Sequence, residues 1–298
     1  MISLRGCGTA LVTPFHTDGS LDLAALERLV DWQIAEGIDF LVACGSTGEA
    51  QTQTFEERQQ VVRRVVEAAK GRVPVVAGAT SNDTAWAITE TKAMCAIGVD
   101  AILSACPYYN KPTQAGLEAH FTAIADQSAR PIILYNVPGR TAVNMTSATA
   151  LRLARHPNIV AIKEASGDLP QMMRIVKDRP LGFQVLSGDD AFALPLIAMG
   201  GDGVISVISN EVPRLMHLLS GHGLDGNLAE ARAIHYRLLP LMEANFLETN
   251  PSPAKTALAL MGRTEPVVRL PLVPAGDATR EALRSALAAA GALAMELV

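Results

Sequence analysis

Eight short runs of almost wholly apolar residues recur along the chain at intervals of roughly 20 to 34 residues, and amphipathic stretches separate them. They are Gly8 to Pro14, Phe40 to Cys44, Val73 to Ala77, Ala101 to Cys106, Pro131 to Val137, Ile159 to Glu164, Phe183 to Ser187 and Gly203 to Val207. A strand with one wet face alternates apolar and polar residues; these runs do not, so each predicts a strand buried on both faces, as in a parallel sheet covered by helices. The intervening stretches have helical spacing and helical punctuation. Leu23 to Glu36 is apolar at 23, 26, 30 and 34 and stops at Gly37, while Thr54 and Glu57 form a capping box for a helix ending near Lys70 and Gly71. A further helix is predicted from Asn82 to Gly98.

Eight strand-helix units predict an α/β fold of the (β/α)8 TIM-barrel type. The competing doubly wound sheet would carry a dinucleotide fingerprint, and Gly6-Cys7-Gly8-Thr9-Ala10-Leu11 lacks its third glycine and opens a strand. After the glycine-rich break Gly221-His222-Gly223-Leu224-Asp225-Gly226 the pattern is helical without strands. The expected organisation is a barrel over 1–224 and a C-terminal helical extension over 225–298.

Composition narrows the function classes. Of 298 residues 49% are hydrophobic, but only 2 are Trp, 4 Tyr and 7 Phe, which disfavours ring-lined platforms for sugars or single-stranded nucleic acid. With 25 basic and 30 acidic residues evenly scattered, there is no basic patch for a phosphate backbone. Cys7, Cys44, Cys95 and Cys106 form no C-x-x-C pair and read as core residues in a reducing compartment. No signal peptide and no apolar stretch of about 18 residues is recognised, so a cytoplasmic protein that avoids membranes is expected. The six histidines have no metal-ligand spacing; neither a metal nor a cofactor is expected.

Barrel active sites lie where strands end and βα loops begin. Polar residues concentrate there: Gly45-Ser46-Thr47-Gly48-Glu49, Pro107-Tyr108-Tyr109-Asn110, Tyr135 to Arg140, Lys163-Glu164-Ala165-Ser166 and Ser187-Gly188-Asp189-Asp190. Lys163 is the most informative, because the other five lysines lie on predicted helices or loops. An ordinary lysine, with a pKa of about 10.4, is a neutral amine in only about one molecule in 2,500 at pH 7. Burial lowers that pKa and makes the amine nucleophilic. The bland alternative is a lysine paired with Glu164 or reaching solvent. Tyr135 is either a proton-transfer phenol beside that amine or a core tyrosine with a satisfied hydroxyl. Arg140, after a Pro-Gly turn, is a fork for a carboxylate or a surface arginine. The Ser46-Thr47 loop can bring backbone N–H groups close to an anion, although glycine-serine turns are common. Tyr108-Tyr109 reads equally as an interface plug or as part of a site.

Together these motifs resemble the dihydrodipicolinate synthase and N-acetylneuraminate lyase superfamily of Schiff-base, pyruvate-using barrels, nearly end to end. The carriers are Gly45 to Glu49, Pro107 to Pro112, Tyr135 to Thr141, Ile162 to Asp168, Leu186 to Asp190 and Asn250-Pro251-Ser252-Pro253-Ala254-Lys255. The motifs at 107–112, 135–141, 186–190 and 250–255 look like the synthase branch, which condenses pyruvate with L-aspartate-4-semialdehyde in lysine and diaminopimelate biosynthesis; the lyase branch normally lacks the Gly139-Arg140 pair.

The resemblance implies that Lys163 forms the imine and that Thr47 binds the pyruvate carboxylate. Tyr135, Ser46 and Tyr109 would form the proton relay, with Tyr109 reaching in from a neighbouring subunit of a homotetramer built as a dimer of dimers. Arg140 would hold the semialdehyde carboxylate, and Gly188 and Ile205 would line the pyruvate pocket with backbone carbonyls. Ser46 departs from the threonine usual in the synthase relay and matches the lyase spelling. Ser252 and Ala254 also depart from Asn-Pro-Ile-Pro-Val-Lys. At the regulatory lysine site, Ala50, Phe55, Arg58 and Trp86 stand where feedback-inhibited members tend to have Ser, His, His and Glu, which predicts weak inhibition by L-lysine. An aldolase or dehydratase of a longer 2-keto acid is the alternative within the same chemistry. A non-catalytic pyruvate-binding barrel is the alternative outside it.

Overall fold

The computed structural model describes residues 2–293; the expected extension's last residues, 294–298, lie outside that range. Eight parallel strands close a barrel in sequential order: β1 Gly6–Ala10, β2 Phe40–Ala43, β3 Val75–Gly78, β4 Ala101–Ala105, β5 Ile132–Asn136, β6 Ile159–Glu164, β7 Gln184–Ser187 and β8 Gly203–Ser206. The barrel is ringed by α1 Leu23–Ala35, α2 Phe55–Ala69, α3 Thr84–Ile97, α4 Gln114–Gln127, α5 Pro138–Thr141, α6 Ser147–Leu153, α7 Leu169–Asp178, α8 Ala193–Ala198 and α9 Pro213–Leu224. Three more helices follow: α10 Leu228–Ala244, α11 Ser252–Leu260 and α12 Asp277–Ala290. The expected barrel with C-terminal helices is therefore present. No helix among the described residues is long and apolar enough to cross a membrane.

The unbroken apolar strands have a direct cause. Phe40, Val42, Val76, Leu103, Ile133, Tyr135, Leu186 and Ile205 point into the barrel and form one cluster. Their neighbours Leu41, Ala43, Val75, Ile102, Leu134, Ile162, Val185 and Val204 point outward into a second cluster with the helices. Both faces are dry, so both parities are apolar. Phe40 needs room inside the barrel, and Gly8 provides it: a Cβ at Gly8 would stand 2.1 Å from the Phe40 ring. The helix punctuation also operates locally. Thr54 and Glu57 close the capping box of α2, and Lys70 ends that helix in the left-handed conformation.

Strand edges differ from the sequence pattern where burial and pairing part company. The first strand was expected at Gly8 to Pro14 but pairs at Gly6–Ala10, starting where Gly6 meets Gly203. Leu11 still donates to the Val42 carbonyl at 2.9 Å, but it and Val12 lie beyond the strand and are apolar because the loop there is buried. The third strand begins at Val75 rather than Val73 and reaches Gly78. The extension does not stand apart from the barrel: Leu238, Leu241, Leu258 and Leu283 belong to the same buried cluster as the barrel's outer face.

Candidate active site

Lys163 lies on the inward face of β6, directly paired in register with Tyr135 on β5. Its ammonium nitrogen lies 4.5 Å from the Tyr135 ring centroid, and the two residues are only 5% and 7% exposed. Burial pulls the Lys163 amine down to about 8, opposed by the field of Asp190, assisted by that of Arg140 and opposed again by Asp189. About a tenth of the lysines are then neutral at pH 7 in place of about one in 2,500. Tyr135 moves the other way. Burial pushes its phenol up to about 12, although the Arg140 charge and a hydrogen bond with Ser46 both favour the phenolate. The phenol is thus protonated at neutral pH and can donate a proton before it accepts one.

Pairing of Lys163 with Glu164 is excluded by strand alternation. Glu164 faces outward, where it accepts from the Asn136 side chain at 3.1 and 3.2 Å, from the Ser166 amide at 2.7 Å and from Gln171 at 3.2 Å. The backbone partners of Lys163 and Glu164 are Tyr135 and Asn136, so one register places Lys163 and Tyr135 inside and a polar clamp outside.

A cavity of about 190 Å³ opens over Lys163, and Tyr135, Ser46, Thr47, Arg140 and Gly188 share its wall. Of the expected residues, these six come together. Ile205 does not line the cavity: it is fully buried in the barrel's inner cluster. Tyr109 is 88% exposed and absent from the cavity of its own chain, held with a φ of 73° in the loop after β4. Gly188 is packed against the Lys163 side chain. A Cβ there would lie 2.9 Å from Lys163 Cε and 2.7 Å from the Ala165 methyl group.

The loop after β2 folds on itself, with the Gly48 and Glu49 amides donating to the Gly45 and Ser46 carbonyls at 3.1 Å. Neither the Ser46 nor the Thr47 amide donates to another protein group among the described residues. Those two N–H groups lie in a wall shared with Lys163, Arg140 and Asp189, and donors of this kind can take up a small anion. Among the described residues there is no cluster of histidine, cysteine and carboxylate side chains able to hold a metal.

Residues from the far end of the chain hold that loop, and their partners were not evident from the sequence. Asn250 donates to the Thr47 hydroxyl at 2.9 Å, and its carbonyl accepts from Arg140 at 3.3 Å. Lys255, fully buried, pairs with Glu49 at 2.5 Å, donates to the Val267 carbonyl at 2.8 Å and lies 4.0 Å from the Phe15 ring centroid. Burial lowers Lys255 to about 8 against the opposing charge and hydrogen bond of Glu49. Arg269 closes the cluster by donating its amide to Glu49 at 2.9 Å and its guanidinium to both oxygens of Glu57. The one sequence signal was Asn250 to Lys255, a polar motif in an otherwise apolar helical stretch. Glu49→Gln leaves the Lys255 charge buried without its partner, so it is expected to cost about 3–5 kcal/mol, as for other broken buried pairs. Chemical denaturation of the variant against the parent checks this.

The chain matches the Dihydrodipicolinate synthetase family over residues 3–290. It is 55% identical over 293 residues to the 4-hydroxy-tetrahydrodipicolinate synthase of Koribacter versatilis, an alignment that covers 98% of each protein. The dihydrodipicolinate synthase of Thermotoga maritima superposes with a TM-score of 0.96 at 44% identity, covering 98% of this chain and 100% of that one. The chloride-inhibited dihydrodipicolinate synthase of Acinetobacter baumannii complexed with pyruvate also gives a TM-score of 0.96, at 43% identity and with coverage of 98% and 100%. A closed barrel with a buried lysine at its centre, matched from end to end in sequence and in backbone, belongs to the dihydrodipicolinate synthetase family.

Proposed function

We propose that this chain condenses pyruvate with L-aspartate-4-semialdehyde to give 4-hydroxy-tetrahydrodipicolinate, with Lys163 as the covalent nucleophile. The observation that carries the reading is the buried Lys163 amine, lowered to about 8 and paired in register with a protonated Tyr135. The neutral amine attacks the pyruvate keto carbon, and the carbinolamine loses its hydroxyl as water after taking a proton, leaving an iminium on Lys163. Loss of a methyl proton gives the enamine, whose carbon attacks the aldehyde. The semialdehyde's own amine then displaces Lys163 at the former keto carbon, closing the ring and freeing the enzyme.

Each step has a candidate group. The Ser46 and Thr47 amides take the pyruvate carboxylate, and the Thr47 side chain is fixed by Asn250. Tyr135 and Ser46 move protons at the keto oxygen and at the enamine carbon. Arg140, on the four-residue helix α5 at the cavity wall, suits the semialdehyde carboxylate. The exposure of Tyr109 supports a relay completed by a second copy of the chain, in a dimer that pairs into a tetramer.

The test is a coupled assay with pyruvate and the semialdehyde, run beside borohydride trapping with pyruvate. Turnover and a pyruvate adduct on the Lys163 peptide are expected. Preferred turnover of N-acetylneuraminate or keto-deoxy sugar acids would move the chain to the lyase chemistry, and absence of an adduct would sink both readings.

Weak or absent inhibition by L-lysine is expected. Phe55 and Trp86 pack with ring centroids 5.2 Å apart, and Arg58 forms an ion pair with the fully buried Glu90. That carboxylate is already matched, and Arg58 adds a cation where a cationic ligand would have to bind. Steady-state rates measured across a lysine titration check this, and inhibition at sub-millimolar lysine would contradict it.

A further inference from the structure

Two carboxylates follow Gly188 in the loop after β7, and they face different surroundings. Asp190 is buried and accepts the amides of Val207 at 2.9 Å and Ile208 at 3.0 Å, which ties this loop to the loop after β8. Asp189 is partly buried and lines the cavity over Lys163. Its backbone is pinned: the amide donates to the Ser187 hydroxyl at 3.2 Å, and that hydroxyl donates to the Asp189 carbonyl at 2.6 Å. Its side-chain Oδ1 accepts from the Ala191 amide at 2.9 Å, while Oδ2 makes no hydrogen bond among the described residues.

The strand on the other side of Lys163 supplies the opposite charge. Barrel register sets Lys163 between Tyr135 on β5 and Leu186 on β7. Arg140, in the turn that follows Tyr135, and Asp189, in the loop that follows Leu186, therefore reach one cavity from the two flanks of the lysine strand. Arg140 donates one N–H to the Asn250 carbonyl at 3.3 Å and makes no other side-chain hydrogen bond among the described residues. Neither Arg140 nor Asp189 belongs to an ion pair among those residues, with each other or with any other group. A cavity of about 190 Å³ thus holds an unpaired guanidinium and an unpaired carboxylate, with the lysine between the strands that carry them.

Chemistry then selects the ligand. An acceptor with a carboxylate but no nitrogen engages the guanidinium and leaves Asp189 to water. A polyol can donate to Asp189 but offers the guanidinium no anion. A short α-amino acid satisfies both groups, because it carries a carboxylate and an ammonium on one carbon, and charge-assisted hydrogen bonds are the stronger kind.

We propose that Asp189 is a specificity-determining residue that receives the α-ammonium of the second substrate, so that Asp189 and Arg140 together read an amino-acid head group beside Lys163. This rests on the condensation proposed above and adds to it the group that recognises the semialdehyde's nitrogen. Asp189→Asn keeps an oxygen for the Ala191 amide and removes the charge. Its kcat/KM for L-aspartate-4-semialdehyde is expected to fall about tenfold, the lower end for a hydrogen bond to a charged group, because Asp189 is only partly buried. Succinic semialdehyde, the same chain without the amine, serves as the control, used as an inhibitor competing with L-aspartate-4-semialdehyde. Its inhibition constant is expected to stay unchanged in the variant, as is the pyruvate concentration for half-maximal borohydride trapping. An equal loss for both aldehydes, which a displaced loop would give, overturns the proposal, and so does an unchanged kcat/KM. If the variant does not fold, the parent alone decides. L-homoserine is expected to compete with the semialdehyde about tenfold more tightly than 4-hydroxybutyrate, which lacks only the amine, and the absence of any such preference overturns the proposal. A parent that forms no pyruvate adduct removes the condensation reading and this subsite together, whereas a parent that turns over the semialdehyde and fails these comparisons removes the subsite alone.

Discussion

Lys163→Met is expected to abolish the pyruvate adduct and reduce turnover by about 10⁴-fold or more, the scale seen when a covalent nucleophile is deleted, while making the protein more stable at neutral pH. The stability gain follows from linkage. The folded-state pKa of Lys163 is about 8, below the ordinary 10.5, so burial penalises the ammonium. Below about 8 both the folded and unfolded chains carry the proton, and the whole penalty is present. Between about 8 and 10.5 the unfolded chain binds more protons than the folded one, and stability of the parent rises with pH. For a side chain that is almost fully buried, this shift corresponds to about 3 kcal/mol. Methionine has similar length and no charge, so the variant is expected to unfold at higher denaturant at pH 7 and to lose its advantage as pH approaches 10.5. Denaturant unfolding at several pH values, with mass spectrometry after borohydride treatment, tests both halves. An active Lys163→Met enzyme would remove the lysine from the mechanism, and equal stability at pH 7 would show that the amine is not desolvated.

Gly188→Ala is expected to reduce kcat/KM for pyruvate by about 10²-fold, the cost of misplacing a reacting group by about 1 Å. The added methyl would meet Lys163 Cε at 2.9 Å, Lys163 Cγ at 3.1 Å and the Ala165 methyl at 2.7 Å. Ala165 cannot rotate away, so Lys163 or the β7 loop must shift. Overpacking of this kind costs about 1–3 kcal/mol, a loss of a few degrees in Tm that leaves the protein folded at assay temperature. Slow borohydride trapping by a folded variant is the expected signature; an unchanged trapping rate would show that the loop yields and the lysine does not.

The expected pieces of the site were legible because strand ends are local. Lys163 stood out as the one lysine inside a fully apolar run, and Ser46, Thr47, Tyr135, Arg140 and Gly188 each follow or end such a run. Less legible was direction. Ile205, near the end of β8, is sealed in the barrel, and Tyr109, in the loop beyond β4, projects to solvent. A strand end specifies where a residue is along the barrel axis, while its distance from the cavity depends on how the neighbouring strands and loops close.

The sequence by itself determined the eight buried strands, the helices between them and the one lysine set inside a fully apolar strand, because periodicity, capping and burial pattern act over a few neighbouring residues. Only the tertiary structure decided that Tyr135 pairs with Lys163 while Glu164 turns away. It also decided that Asp190 reaches across to the β8 loop, and that Asn250 and Lys255 come back about two hundred residues to brace the loop of Thr47 and Glu49. Those relations depend on strand register and on barrel closure. Both are set by the summed packing of the whole chain, which no single segment contains.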